Sequence, residues 1–239
     1  MEKLGKKLKA HQDGIQHDDR IEEVVSRSGG DGSVQDFIEQ NKKVLLGLAV
    51  ALVVLIAAVF AYRYYQGQQN TLAANSMFDA VQSFEAGDYN AALNGDSALN
   101  NMGLLDVADS YGSTEAGNLA KYYAGVAKVK QGDVAGGIDY LEDVSGSGTL
   151  LGLAKQVAIG FALEEQGDFE GAAKAFEAAG SAVGGNKFST PFALLKAGEN
   201  YEAAGTKGKA LDLYKRIKDK YPESEEANNI DKYIGRASS

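Results

Sequence analysis

Paired carboxylates are the side chains in this sequence whose types and spacing come nearest to chemistry. Glu164-Glu165 and the trio Glu223, Glu225 and Glu226 could in principle divide general acid and general base work. Neither set has a histidine beside it, and acidic runs of this kind are ordinarily the solvated faces of helices. His11 and His17 are the only histidines. They stand six apart in a polar N-terminal tail, a poor frame for a metal. The chain has no cysteine, which excludes a thiolate nucleophile, a thiolate metal site and a disulfide framework. The stretch from Gly180 through Gly184 and Gly185 to Lys187 has the glycines of a phosphate loop. It lacks the Gly-Lys-Ser/Thr ending and follows no strand, so it reads as a connection between helices. No catalytic constellation survives, and the expectation is a protein that binds and does not transform.

The charge balance narrows what it could bind. Twenty-four Lys and Arg stand against 33 Asp and Glu, which counts against nucleic acid, because that partner demands a basic surface to displace counterions. Two prolines, no tryptophan and abundant Ala and Gly suit closely packed helices better than a β fold.

The elements that position these residues divide at one apolar block. Val44–Tyr62 is 19 residues without a charge or a strongly polar side chain. At about 1.5 Å per residue such a helix matches the roughly 30 Å hydrocarbon core of a bilayer. Lys42 and Lys43 flank one end, and Tyr62, Arg63, Tyr64 and Tyr65 the other, as a membrane interface favours. The 43 preceding residues are too many for the leader of a cleaved signal peptide, so an uncleaved anchor over 42–65 is expected. Arg27, Lys42 and Lys43 lie on the N-terminal side, whereas after Arg63 the next basic residue is Lys121. This asymmetry places the N-terminus in the cytoplasm and the rest of the chain outside it. Gly47, Ala51 and Ala58 form a candidate packing face for another membrane helix; a plain lipid-facing helix accounts for them equally well. Residues 1–41, with six basic and nine acidic side chains, are expected to be a mostly disordered cytoplasmic leader as far as Asp31. Ser33, with Asp36 after it, is expected to cap a helix running into the membrane.

Beyond the anchor, residues 66–239 are periodic. A small residue, then a Gly-led turn, then a second helix carrying a small residue and a large one, recurs. The clearest copy, Leu153–Ala179, has Gly160, Gly167-Asp168-Phe169, Ala172, Phe176 and Ala179. The next has Gly198, Tyr201, Gly205, Ala210, Tyr214, Ile217 and Pro222. An earlier one has Gly125, Gly132-Asp133-Val134 and Leu141, and the first has Ala80, Phe84, Gly87-Asp88-Tyr89 and Ala92. The turn glycines are 45, 35 and 38 residues apart. This pattern resembles the tetratricopeptide repeat, a helix–turn–helix of about 34 residues, over Thr71–Pro222. The excess length implies insertions, the largest around Asn94–Thr114. Glu223–Arg236 is expected as the terminal capping helix that a solenoid needs. The fold class expected is therefore all-α: a single N-terminal transmembrane helix followed by a tetratricopeptide-repeat α-solenoid.

In such a solenoid the first helix of each pair lines a concave groove. Carrying the groove positions onto this chain gives Tyr122, Val126, Val129, Val157, Phe161, Glu164, Leu195, Glu199 and Glu202: an apolar strip with an acidic rim. The strip could hold an extended or helical segment. Packing of some of these residues inside the solenoid is an equal alternative. The basic and polar clamp for a C-terminal carboxylate is absent from the matching positions, which counts against acidic chaperone tails as partners.

The whole plan resembles the YfgM-type ancillary subunit of the SecYEG translocon. That plan is a short leader, one anchor helix and an extracytoplasmic repeat domain, and the stretch Leu93–Gly125 is similar to the corresponding stretch in Bacteroidota relatives. The resemblance implies a place in a bacterial inner membrane beside a SecYEG-type translocon and a PpiD-type membrane-anchored periplasmic chaperone. There the protein would assist the handover of secreted polypeptides, without cofactor or catalysis. A scaffold for another cell-envelope complex would use the same parts. An organellar receptor with cytosolic repeats would need the opposite topology.

Overall fold

The computed structural model describes residues 30–96 and 101–239, with side chains from residue 37 onward. His11, His17, Arg27 and the expected disorder of the leader lie outside the described residues. The chain divides into two compact units, Met1–Tyr62 and Arg63–Ser239. Helix α1, Gly30–Ser76, crosses that boundary, and at about 1.5 Å per residue it is roughly 70 Å long. Among the described residues it alone is long and apolar enough to cross a membrane. From Val44 to Tyr65 its large apolar and aromatic side chains are exposed, apart from the half-buried Leu45. Ser33 lies inside α1, not at its cap. A serine within a helix costs only about half a kcal/mol, too little to end one.

The second unit is a stack of antiparallel helix pairs. Helices α5 (Glu115–Lys130) and α6 (Val134–Glu142), α7 (Leu150–Glu165) and α8 (Phe169–Ala182), and α9 (Ser189–Ala203) and α10 (Lys207–Lys220) form three pairs. The turn within each pair follows from two residues. Gly132, Gly167 and Gly205 take φ of 90°, 79° and 76°, a left-handed conformation that ends the first helix cheaply only for glycine. In the first two, the next residue caps the second helix: Asp133 Oδ1 accepts from Gly136 N at 3.1 Å, and Asp168 Oδ1 accepts from Gly171 N at 2.9 Å. The first helices of the same two pairs are capped by threonine, with Thr114 Oγ1 accepting from Gly117 N and Thr149 Oγ1 from Gly152 N. Each cap satisfies a backbone donor that the helix leaves orphaned.

The core is where a small residue meets a large one. Gly160 faces the ring of Phe176, whose nearest carbons lie 2.8–2.9 Å from where a Cβ would be; Gly125 faces Leu141 in the same way at 2.7 Å. Phe176 and Leu141 are fully buried. Burying each is worth about 1.5–3 kcal/mol, and the missing Cβ is what admits them.

The N-terminal repeat is irregular. Its first helix is the end of α1 continued, after Met77, by α2 (Phe78–Glu85); its second begins as α3 (Tyr89–Asn94). The second helix then breaks into a two-stranded antiparallel ladder, β1 (Gly95–Asp96) with β2 (Asn101–Met102), before α4 (Leu104–Tyr111) packs on α5. Here is the insertion expected around Asn94–Thr114. At the other end, the expected helix over Glu223–Arg236 is shorter. A turn after Pro222 leads to a 3₁₀ turn, Glu226–Asn229, and then to α11, Ile230–Ala237. Asn228 and Asn229 are weak helix formers that compete with the helix for backbone hydrogen bonds, which delays the start.

A candidate protein-binding groove

Helices α5 and α7, each the first of its pair, frame with the start of α9 a concave, mostly apolar cavity of about 560 Å³. Helix α5 contributes Tyr122, Val126 and Val129; α7 contributes Val157 and Phe161; the start of α9 contributes Phe192. The repeat spacing explains the convergence. Side chains three or four apart on a helix share a face, and the paired helix behind holds the opposite face. The only charged side chains on the wall are Lys130 and Glu165, each at the last turn of its helix.

Five of the nine groove residues expected from sequence come together here: Tyr122, Val126, Val129, Val157 and Phe161. All but Phe161 are half-buried, and Phe161 is 39% exposed. Their inner sides also pack on the core. Tyr122 and Val126 lie against the cluster of Leu141, Ile159 and Ala175, and Val157 against that of Ala172 and Phe176. Phe161 stands edge-on to Phe176 at 5.1 Å between centroids. Groove wall and core are thus two sides of the same residues. The hydroxyl of Tyr122 is held above its usual range of titration by burial, and secondarily by Tyr123, so it stays a neutral donor.

The remaining four do not line the cavity. Glu164 is half-buried on α7, and one of its carboxylate oxygens is enclosed without a hydrogen-bond partner. Leu195 packs on the C-terminal core. Glu199 pairs with Lys196 at 3.5 Å, and Lys196 Nζ also stands 5.6 Å from the centre of the Phe161 ring. Glu202 faces the C-terminal cap. Its Oε2 accepts from Tyr214 Oη at 2.7 Å, and its Oε1 accepts from Arg236 Nε at 2.9 Å. The guanidinium, with help from the tyrosine, holds the Glu202 carboxyl below the usual range. In place of an acidic rim, Glu202 is the bolt of the terminal helix. Phe192 and Lys130, which sequence reasoning missed, also line the wall, as do Leu153, Ala154 and Glu165. Phe192 sits one turn into α9, ahead of the groove positions of the repeat, so periodicity alone does not mark it.

Gly47, Ala51 and Ala58 lie along α1, exposed, and nothing stands within 4 Å of a Cβ built on Gly47. The paired acids also separate: Glu165 lies on the groove wall, and Glu223, Glu225 and Glu226 line a second depression beside Lys187 and Lys220. Among the described residues, no three His, Asp or Glu side chains gather as a metal site would require.

No curated protein matches the chain. Two solved structures are similar, both from Podosopora anserina: a putative kinesin light chain with nearly identical TPR-like repeats, and a point variant of it. Each is 17% identical, with a TM-score of 0.48, over 68% of this chain and 83% of its own. The family model of the tetratricopeptide repeat-like domain matches residues 35–231, from the long apolar helix α1 to the start of α11, and the chain belongs to that family.

Proposed function

We propose that this protein is a non-catalytic, membrane-anchored scaffold whose groove holds an apolar segment of a partner protein. The observation that carries the reading is the wall formed by Tyr122, Val126, Val129, Val157, Phe161 and Phe192. It is concave and nearly free of charge on a chain that is otherwise acidic. A partner that inserts two or three apolar side chains there gains the burial that the half-exposed wall leaves open.

The setting follows from the anchor and from the resemblance to YfgM-type subunits. α1 spans a bacterial inner membrane once, with the N-terminus cytoplasmic, as the basic flanks favour. The repeat domain works on the periplasmic side beside a SecYEG-type translocon and a PpiD-type chaperone, assisting the handover of secreted chains. The apolar groove suits unfolded polypeptide or a partner's apolar segment, and the family match supports protein binding as its use. Gly47, Ala51 and Ala58 are the positions where a translocon helix would approach α1.

The test is mass spectrometry of what co-purifies from detergent extracts, with photo-crosslinking from Phe161→p-benzoylphenylalanine. Recovery of translocon subunits, with crosslinks to the chaperone or to secreted chains, supports the reading. Recovery of another envelope complex without translocon subunits would leave the scaffold and remove its proposed place.

A further inference from the structure

We infer that the depression at the C-terminal end of the stack is a contact between two copies of this chain, each setting its Phe188 and its lysines against the other's glutamates. The contact lies wholly within Arg63–Ser239. It therefore needs neither the groove of the proposed function nor any particular placement of the domain against a membrane.

Two segments build the depression. The connection between α8 and α9 supplies Lys187 and Phe188; the end of α10 and the turn after it supply Lys220, Glu223, Glu225 and Glu226. The segments meet where Tyr221 Oη lies 3.4 Å from the place a Cβ on Gly185 would take. Each is held in its own shape. Asn186 Oδ1 accepts from Phe188 N at 2.8 Å and from Ser189 N at 3.2 Å, and Ser224 N donates to Tyr221 O at 3.0 Å. The space between them is about 700 Å³, room for an aromatic ring and the ends of several long side chains.

The charges in it are unspent. Two ammonium groups and three carboxylates line one depression, yet none of the five forms an ion pair among the described residues. Elsewhere on the domain opposite charges brought this near do pair, as Lys128 does with Asp133 and Lys218 with Asp231. Lys215, Arg216, Asp219 and Lys232 belong to the same elements but lie outside the depression. A partner carrying one sign of charge would meet repulsion here whichever sign it had. The complement must carry both, and a two-fold axis supplies it. The second copy then brings its carboxylates to these lysines and its lysines to these carboxylates, as an isologous contact requires.

Phe188 supplies the attraction. At 87% exposed it is the most exposed large apolar side chain among the described residues. Lodged in the partner copy's depression beside Tyr221, the ring leaves water, which favours association. Exposed ion pairs alone contribute little, so the charges set the register and the ring sets the affinity.

The test uses the full chain in mild detergent, with copies that carry two different affinity tags. One variant makes the patch wholly acidic (Lys187→Glu with Lys220→Glu). Another makes it wholly basic (Glu223→Lys, Glu225→Lys and Glu226→Lys). Wild-type copies are expected to co-purify through either tag. Each variant mixed with itself should lose about tenfold or more of that association, and the two variants mixed together should recover it. Phe188→Ser should also weaken association while leaving the melting temperature where it was. Wild-type copies that stay apart would overturn the inference. Association that survives in each charge variant alone would place the contact elsewhere on the chain and overturn it too. Failure of the two variants to recover it together would assign the depression to a different protein. Should a charge variant lose its helical circular dichroism, Phe188→Ser decides: association unchanged in it sinks the contact. Capture by the groove is read separately at Phe161, so either result can fail without the other.

Discussion

Gly198 lies under the ring of Tyr214, so close that a Cβ on position 198 would fall 2.3 Å from the tyrosine's Cε1. Tyr214 is fully buried, and the same relation joins Gly160 to Phe176. The missing methyl is what lets α9 and α10 approach. Gly198→Ala is therefore expected to destabilise the domain by about 1–3 kcal/mol through overpacking. Gly208→Ala, on α10 with nothing within 4 Å, is expected to be neutral or stabilising by about 0.5–1 kcal/mol. Urea unfolding of both variants, followed by circular dichroism, measures the difference. Equal stability of the two would show that the ring has room to move aside.

Asp168 closes the most regular turn of the stack, accepting from Gly171 N. Replacing it with alanine leaves an orphan donor at the start of α8 and is expected to cost about 1 kcal/mol. Asp168→Asn keeps an acceptor and is expected to recover most of that loss. A pair of thermal melts decides the matter. If the asparagine variant melts with the alanine variant, the cap is not what holds this turn.

The pairs were readable because their constraints are local. Gly125 and Leu141, Gly160 and Phe176, and Gly198 and Tyr214 each stand sixteen residues apart, a spacing set within one helix pair. The first repeat breaks the rule, since sixteen residues past Ala80 is Asp96, in the β1–β2 ladder. What makes that ladder is the close approach of Gly95 to Asn101 O and of Gly103 to Leu93 O, a pairing across a turn with no periodic signal. Glu202 was misplaced on the groove rim for a related reason. Its helical phase suits the groove, but its partner Arg236 lies 34 residues away, and no pattern in the sequence joins them.

Glu202 makes the C-terminal cap sensitive to acid. Its side chain is 11% exposed, and it accepts from both Arg236 and Tyr214. Its folded carboxyl titrates below the ordinary value of 4.5. The contribution is therefore complete above that value and is lost as pH falls through the lower, folded one. Tyr214, pushed upward by burial and then by Glu202, remains a donor throughout this range. Protection from hydrogen exchange in α11, taken relative to the intrinsic rate at each pH, is expected to fall on acidification more than protection in α7. Glu202→Gln should abolish that difference at a cost of about 1–3 kcal/mol. An unchanged pH response in the variant would place the acid sensitivity elsewhere.

Phe161 separates binding from folding more cleanly than any other groove residue. Its ring is 39% exposed, while the helix beneath is held by Gly160, Phe176 and the buried Ala162. Phe161→Glu puts a charge where an inserted apolar side chain would lie. Desolvating that charge, together with the lost contact, is expected to weaken partner capture by about 1.5–3 kcal/mol, a tenfold drop or more. Phe169 is the matching control. It is 37% exposed at the first position of α8 and lies outside the cavity, so Phe169→Glu should leave capture intact. Crosslinking from a photoreactive residue at Val129, in each background, measures capture, and melting curves confirm that both variants fold. Equal crosslinking in the two backgrounds, with both folded, would mean that the apolar wall between α5 and α7 is not where the partner binds.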